Sequence, residues 1–211
     1  MLERHVGEQV RARIEQAVRE AEGRSTGQIV PVVVARSGGY PEARYRGALL
    51  GAALATVAVL ALRLPLPLAG LPLVQLGAGL AGALAALWGP VERYLAGRVE
   101  LELATRDRAV RAFHEHGLHR TEHGTGVLIF ASLFERRAVV LGDRGIHAKM
   151  GDEEWQRAVG ALVAGMRRGD PGSGFCEAIS VCGAKLAEHF PRGPGGGKEN
   201  ELSDELRASE S

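Results

Sequence analysis

Two carboxylates that flank a short apolar run are the residues best suited to bind a metal ion. Glu135 precedes the run Arg137–Leu141, and Asp143 follows it between glycines. Carboxylate oxygens are preferred ligands of Ca²⁺ and Mg²⁺, and a bound ion can polarise a phosphoryl oxygen. The pair therefore predicts a Ca²⁺ or Mg²⁺ site at a strand end, where scaffolds often carry functional groups. The alternative is that Asp143 only shapes the turn before Gly145.

Four histidines form a second candidate metal site: His114, His116, His119 and His123. Imidazole groups bind Zn²⁺. However, His114 and His116 are two positions apart and point to different faces of a helix. The spacing favours a solvated helix end, at which the imidazoles interact favourably with the C-terminal dipole.

The sequence identifies no catalytic residue. Ser132, Glu135 and His147 are residue types found in hydrolases, but no G-x-S-x-G motif accompanies them. Cys176 and Cys182 lie six residues apart in one predicted helix, which separates them by about 9 Å along its axis. Neither a disulfide nor a CxxC metal pair is therefore expected.

A long apolar segment, residues 47–91, contains Arg63 as its only charged residue. Pro65 and Pro67 follow Arg63 and favour a turn. The run Gly47–Leu62 has sixteen residues, and the run Leu64–Val91 is longer. Two spans of about 17–20 residues each would cross a hydrocarbon core of about 30 Å, for which the first run is short. The segment therefore predicts a transmembrane helical hairpin. A buried hairpin in a soluble protein and a shallow re-entrant loop are the alternatives.

Small and aromatic residues of this segment are placed as they are in membrane helices. Gly47 and Gly51 are four residues apart, a spacing that lets two helices approach closely. Trp88, Tyr45 and Tyr94 lie at the flanks, where aromatic side chains meet the membrane interface. The lipid bilayer is therefore a predicted partner.

Basic residues predict the orientation of the hairpin. The connecting loop carries Arg63 alone, whereas both flanks are richer in arginine. Because basic residues favour the cytoplasmic side of a membrane, we expect an integral protein of the cell membrane with two spans. The soluble domain and both termini would be cytoplasmic. The flanking arginines are Arg36, Arg44, Arg46, Arg93 and Arg98.

Hydrophobic periodicity outside the hairpin predicts alternating helices and strands. Strands 28–35 and 125–132 are almost wholly apolar, as in strands that are covered on both faces. Pro31 lacks an N–H group, so it places the first strand at an edge or at a bulge. The other expected elements are helices 2–22, 91–116, 152–168 and 175–189, and strand 137–141.

Three finer expectations concern the helices. Asp152 is the predicted N-cap of helix 152–168. Residues 170–174 are predicted to form a loop before the last helix. The predicted inner face of helix 91–116 contains Val99, Leu103, Val110 and Phe113.

The order of these elements predicts an α/β fold: a small mixed sheet flanked by helices and interrupted by the transmembrane hairpin. Residues 1–46 would form the first part of the domain, and residues 47–91 the hairpin. Residues 92–190 would complete the domain, and residues 191–211 would form a flexible polar tail.

The charge balance gives no indication of a nucleic-acid partner. Lys and Arg number 26, Asp and Glu number 25, and the formal net charge is +1. A nucleic-acid-binding protein would show a basic stripe or a strongly raised pI. A membrane or protein partner is expected instead.

Several segments outside the hairpin are similar to a known family. Ser25–Val34, Thr125–Ser132, Glu135–Ile146 and Trp155 resemble the TPM domain, a family named for a thylakoid lumen protein, a photosystem repair protein and a receptor-modulating protein. The resemblance implies an α/β/α sandwich. It also implies divalent-metal binding and acid phosphatase activity, as in some members, or a role as an assembly or repair factor, as in others. His189–Pro191 and Asn200–Leu202 resemble a bacterial membrane-anchored branch.

One departure from the family pattern affects the choice between these roles. The family's usual Gly-Tyr-Gly-Leu-Glu segment is Gly142–His147 here, so His147 replaces an acidic residue. We therefore expect a membrane-anchored TPM-like protein that acts as an interaction or assembly factor at the membrane. The alternative is a divalent-metal-dependent phosphatase that acts near the membrane.

Overall fold

The computed structural model describes residues 7–65, 67–121, 124–192 and 206–209. The chain forms two compact units. One unit comprises the residues up to Ser37 and those from Ala104 onward, and Gly38–Leu103 is the other. The second unit is thus inserted in the sequence of the first, and it begins before and ends after the expected segment 47–91. Residues 2–6 of the predicted first helix, and His123, lie outside the described residues.

The first unit contains a mixed sheet. Its described strands follow the order β3-β2-β1-β4. β1 is parallel to β2 and to β4, whereas β2 and β3 form an antiparallel hairpin. The three predicted strands are therefore present, and the sheet is mixed as expected. The strands are β1 (Gln28–Val34), β2 (Gly126–Ser132), β3 (Arg137–Gly142) and β4 (Arg207–Ser209).

Helices cover both faces of this sheet. One face packs against α1, α7 and α8, and the other packs against α5. Alternate residues of β1 enter the two cores: Ile29 and Val33 face the first, and Val30, Val32 and Val34 face the second. The described helices are α1 (Glu8–Glu22), α5 (Arg98–Glu115), α6 (Arg144–His147), α7 (Asp152–Arg168) and α8 (Pro171–His189).

Pro31 shows no bulge, because β1 keeps a continuous register to β2. On the other side β4 pairs only with Val32–Val34, so among the described residues Pro31 lies at a locally unpaired edge, in agreement with one of the two predicted positions. Gln28 donates its N–H to Thr125 on the β2 side (3.3 Å), whereas Ile29 donates to Glu22 on the opposite side (2.7 Å). N–H groups alternate in direction along a strand. The nitrogen of Pro31 therefore faces away from β2, and the β1–β2 ladder loses no donor.

Helix α5 buries a different face from the predicted one. Val99, Leu103 and Val110 are 68%, 55% and 40% exposed. Phe113 packs against the second core as expected, although it is only partly buried. Small residues on the buried face allow the helix to approach the sheet closely. The prediction that Val99, Leu103 and Val110 form the inner face was therefore wrong. The buried residues of α5 are Leu101, Thr105, Ala109 and Ala112.

Two helix starts differ from the sequence prediction. Gly151 is the N-cap of α7, and Asp152 is its first residue. The predicted loop 170–174 belongs largely to α8, which begins at Pro171. Asp170 caps α8 by accepting the N–H of Ser173 at 3.0 Å, and this hydrogen bond is the main reason that the pKa of Asp170 is lowered.

Strand β4 lies inside the segment that was predicted to be a flexible polar tail. Its three residues pair with Val32–Val34 of β1, and Leu206 just before it is buried in the first core. The rest of that segment from residue 193 onward lies outside the described residues.

The second unit contains a pair of antiparallel helices. Helix α2 (Pro41–Ala61) ends before the break that contains Arg63, Pro65 and Pro67. A 3₁₀ turn and α3 (Leu71–Ala85) follow, and α4 (Gly89–Ala96) begins after Trp88. The chain bends by 102° between α3 and α4, so the second predicted span is interrupted.

Glycines allow α2 and α3 to pack closely. A Cβ atom on Gly47 would lie 2.5 Å from the carbonyl oxygen of Gly82, and one on Gly51 would collide with the carbonyl of Ala78. Gly77 has no neighbour within 4 Å, so it does not belong to this contact. The predicted close approach at Gly47 and Gly51 is therefore present in the helical pair.

A similar contact joins α7 and α8 in the first unit and can be tested. A Cβ atom on Gly165 would lie 2.6 Å from the Cα of Gly174, whereas one on Gly160, in the same helix, meets nothing within 4 Å. We predict that Gly165→Ala destabilises the protein by about 1–3 kcal/mol, because the backbone must move. Gly160→Ala should stabilise it by up to about 1 kcal/mol. Thermal unfolding of both variants in detergent tests this, and equal effects would contradict the close approach.

Candidate functional site

A buried polar network lies at the carboxyl ends of β1 and β2. Ser37 follows β1, Ser132 ends β2, and Glu135 lies in the turn between β2 and β3. Because β1 and β2 are parallel and in register, their carboxyl ends meet. All three side chains are buried, and Glu135 is only 4% exposed. Binding sites often occur at this edge of parallel strands.

Hydrogen bonds connect the members of this network. The backbone N–H of Ser37 donates to Oε1 of Glu135 at 3.0 Å, and the hydroxyl of Ser132 donates to Oε2. The hydroxyl of Ser37 donates to Oγ of Ser132 at 2.8 Å. Both carboxylate oxygens of Glu135 therefore accept internal donors. The arrangement ties the end of β1 to the β2–β3 turn and leaves the carboxylate poorly accessible to a substrate.

A second pair of side chains covers the same end of the sheet. The guanidinium of Arg36 lies 4.1 Å from the ring centroid of Phe134, within the range of a cation–π interaction. Backbone bonds from Leu133 to Val34 (3.0 Å) and from Phe134 to Ala35 (2.9 Å) hold the turn against β1. Sequence reasoning missed Ser37, since a serine after a strand is ordinary. Only the parallel pairing shows that it meets Glu135.

Asp143 lies at the opposite end of β3 from Glu135. It is the N-cap of α6 and accepts the N–H of Arg144 at 2.7 Å. The six residues of β3 separate the two carboxylates, roughly 20 Å at the usual rise per residue. The two side chains therefore cannot ligate one ion, which corrects the expectation of a shared Ca²⁺ or Mg²⁺ site. The position of Asp143 agrees with the alternative, a residue that shapes the turn.

The set Ser132, Glu135 and His147 is also not assembled. His147 ends α6, on the Asp143 side of the hairpin, where its ring lies 6.0 Å from the ring of Trp155. The indole Nε1 of Trp155 is buried and has no hydrogen-bond partner among the described residues.

The histidines converge only in part. The rings of His114 and His119 lie 4.8 Å apart, and Nε2 of His119 accepts the Arg120 side chain at 3.2 Å. Over the described part of the chain, no three His, Cys, Asp or Glu side chains are grouped so that they could hold a metal ion. Both cysteines are free, as expected, and burial raises the pKa of Cys182 to about 12, so its thiol stays protonated.

The electrostatic environment of His116 favours its neutral form. Burial lowers its pKa, and Arg207 in β4 lowers it further, against an opposing effect of Glu115. Arg108 also lowers this pKa and forms an ion pair with Glu115 at 3.1 Å. The neutral imidazole is therefore the form that the folded first unit favours.

An exposed apolar surface on the helices of the second unit is a candidate interaction surface. Over the described residues, one helix, α2, is long and apolar enough to cross a membrane; α3 and α4 could supply a second span only if the bent pair is counted as one. In its most apolar window α2 is only 11% buried. Exposed side chains on the two helices, 51–72% accessible, are Leu49, Leu50, Leu54, Val57, Leu60, Leu73, Leu76, Leu80 and Leu84.

Comparison with known proteins identifies the class of this chain. Residues 99–185 match the TPM domain. The match covers less than half of the chain, and it supports the resemblance to the TPM domain that the sequence shows. No curated protein matches it.

A solved structure shares the fold. The chain is similar to the NMR structure of the BA42 protein from the psychrophilic bacterium Bizionia argentinensis. The TM-score is 0.57 at 18% sequence identity, over 95% of this chain and 92% of that chain. At this identity the similarity concerns the fold alone.

The separation of Asp143 and Glu135 predicts independent effects on stability. Glu135→Ala leaves two buried donors without their acceptor, which should cost about 2–4 kcal/mol. Asp143→Ala removes a helix cap and should cost about 1 kcal/mol. We expect the double variant to show the sum within about 0.5 kcal/mol, in urea unfolding with and without Ca²⁺. A coupling free energy that appears only with Ca²⁺ would instead indicate a shared ion.

The lowered pKa of His116 predicts a pH dependence of stability. The unfolded chain takes up a proton near pH 6.5, before the folded chain does. The contribution of His116 is therefore complete above about pH 6.5 and is lost as the pH falls through the lower folded pKa. Relative to His116→Gln, the wild-type free energy of unfolding should decrease over this range. Parallel pH profiles of the two proteins would contradict the assignment.

Proposed function

We propose that this TPM-domain protein is anchored in a membrane by the helices of its second unit and acts there as an interaction or assembly factor. The observation that supports this proposal is the distribution of side chains on α2 and α3. Glycine and alanine lie between the two helices, and leucines point outward. A helix in a water-soluble protein places its apolar residues inward. The reversed arrangement fits lipid as the solvent, because close packing of small residues associates helices in membranes.

The polar groups inside the helical pair support the same placement. The amide of Gln75 donates to Oγ1 of Thr56 at 2.8 Å, and that hydroxyl donates to the carbonyl of Ala52 at 2.9 Å. Hydrogen bonds between helices satisfy side chains that would be costly to expose to hydrocarbon. Gln75, one of the few polar residues in the segment, is thus paired across the helices.

The dimensions of the helices suit two spans. Helix α2 has 21 residues and is about 31 Å long, close to a hydrocarbon core of about 30 Å. Helix α3 has 15 residues and covers about 22 Å, to which the preceding 3₁₀ turn adds about 6 Å. The bend of 102° then directs α4 across the direction of α3, as in a helix at the interface.

Exposed aromatic side chains support an interface near the flanks. Tyr45, Trp88 and Tyr94 are 71%, 68% and 85% exposed. They lie at the ends of α2 and α3 and on α4, at the level where aromatic belts occur in membrane proteins. With the arginine-rich flanks, this favours cytoplasmic termini and a cytoplasmic TPM domain.

An interaction role is favoured over phosphatase chemistry. Catalysis needs several polar groups that converge on one point, whereas Glu135 is engaged internally and Asp143 caps a helix. The hypothesis of a metal-dependent phosphatase is based only on the family resemblance. Hydrolysis of a phosphoester that depends on Mg²⁺ or Ca²⁺, and that Asp143→Ala abolishes, would support that reading against ours.

Membrane anchoring is tested with charges on the outward surface. Leu54→Arg combined with Leu80→Arg places two charges near the middle of the apolar surface, each costing about 2.5–3.5 kcal/mol in a bilayer. We expect the full chain to pellet with membranes and to resist alkaline carbonate, and the double variant to lose this partitioning.

The matched control is Val99→Arg, since Val99 and Leu54 are equally exposed at 68% but Val99 lies outside residues 47–91. This variant should remain with the membrane. Recovery of the wild-type chain as a folded monomer in detergent-free supernatant would rule out the anchor.

A further inference from the structure

The edge of β1 that faces away from β2 meets different groups near its start and near its end. Near its start, the buried carboxylate of Glu22 accepts the N–H of Ile29 at 2.7 Å, and Pro31 offers no donor. Near its end, β4 pairs with Val32–Val34. The first half is thus protected against strand addition by local chemistry. The second half is a strand-binding edge, and the chain's own segment occupies it.

The occupant makes a small contact. β4 is three residues long, and Leu206, 5% exposed, is its buried anchor in the first core. Arg207 and Ala208 are exposed. Most of the recognition therefore consists of backbone hydrogen bonds and one aliphatic side chain. Such bonds do not depend on sequence, so any extended segment with a similar aliphatic residue satisfies the same edge.

We propose that this edge of β1 is a docking site for an extended segment of a partner protein, which binds parallel to β1 in place of β4 with an aliphatic side chain in the Leu206 position. This inference rests on the proposed role as an interaction factor and names the partner's chemistry. β4 then acts as a tethered competitor, whose effective concentration, in the millimolar range for short linkers, sets the affinity that a partner must exceed.

The proposal is tested with the chain's own segment as the probe. A fluorescent peptide with the sequence of residues 204–211 is titrated into the full chain in detergent, with either wild-type protein or the variant Leu206→Asp, which releases β4. We expect the variant to bind the peptide at least ten-fold more tightly than wild type does. A peptide carrying Leu206→Asp should not bind, whereas one carrying Leu206→Ile should bind like the original.

Two measurements keep the result decisive. Leu206→Ser serves as a milder second variant if Leu206→Asp unfolds, and hydrogen exchange should show protection of Val33 when the peptide binds, because the N–H groups of Val32 and Val34 face β2. Absence of peptide binding to a folded variant, or binding without protection of Val33, overturns the docking site. Membrane partitioning is measured separately, so a failure of this inference is distinguishable from a failure of the anchor.

Discussion

The first unit depends on β1 being held at both ends by buried carboxylates from outside the strand. Glu22 accepts the N–H of Ile29 at its start, and Glu135 accepts the N–H of Ser37 just beyond its end. Buried backbone donors require partners, and neither donor is satisfied by a neighbouring strand here. These two side chains therefore fix where β1 begins and where the chain leaves the sheet toward the inserted unit.

The insertion makes the pairing of β1 with β2 a long-range contact. Val34 ends β1 and Gly126 begins β2, with the second unit between them in sequence. Closing such a segment costs conformational entropy, although the cost grows slowly with length. An antiparallel helical pair reduces it, because Gly47 in α2 and Gly82 in α3 lie against each other and the pair brings its own ends together.

The two units place their large apolar side chains in opposite ways. In the first, β-branched and aromatic side chains are buried between sheet and helices. In the second, glycine and alanine face inward and leucine faces outward. Removal of apolar surface from water drives the first arrangement. Close backbone packing determines the second.

The sequence by itself determined the elements whose residue types allow one conformation: the β-branched strands β1 and β2, the β2–β3 hairpin and the apolar helical pair broken at Arg63–Pro67. Local pattern carries this information because propensity and periodicity act over a few residues. Tertiary structure alone decided which face of α5 is buried, which side of β1 the Pro31 nitrogen faces, and that β4 closes the sheet. It also separated Asp143 from Glu135 and joined Ser37 to Glu135. These outcomes depend on strand direction and on contacts between residues distant in sequence, which no local pattern encodes.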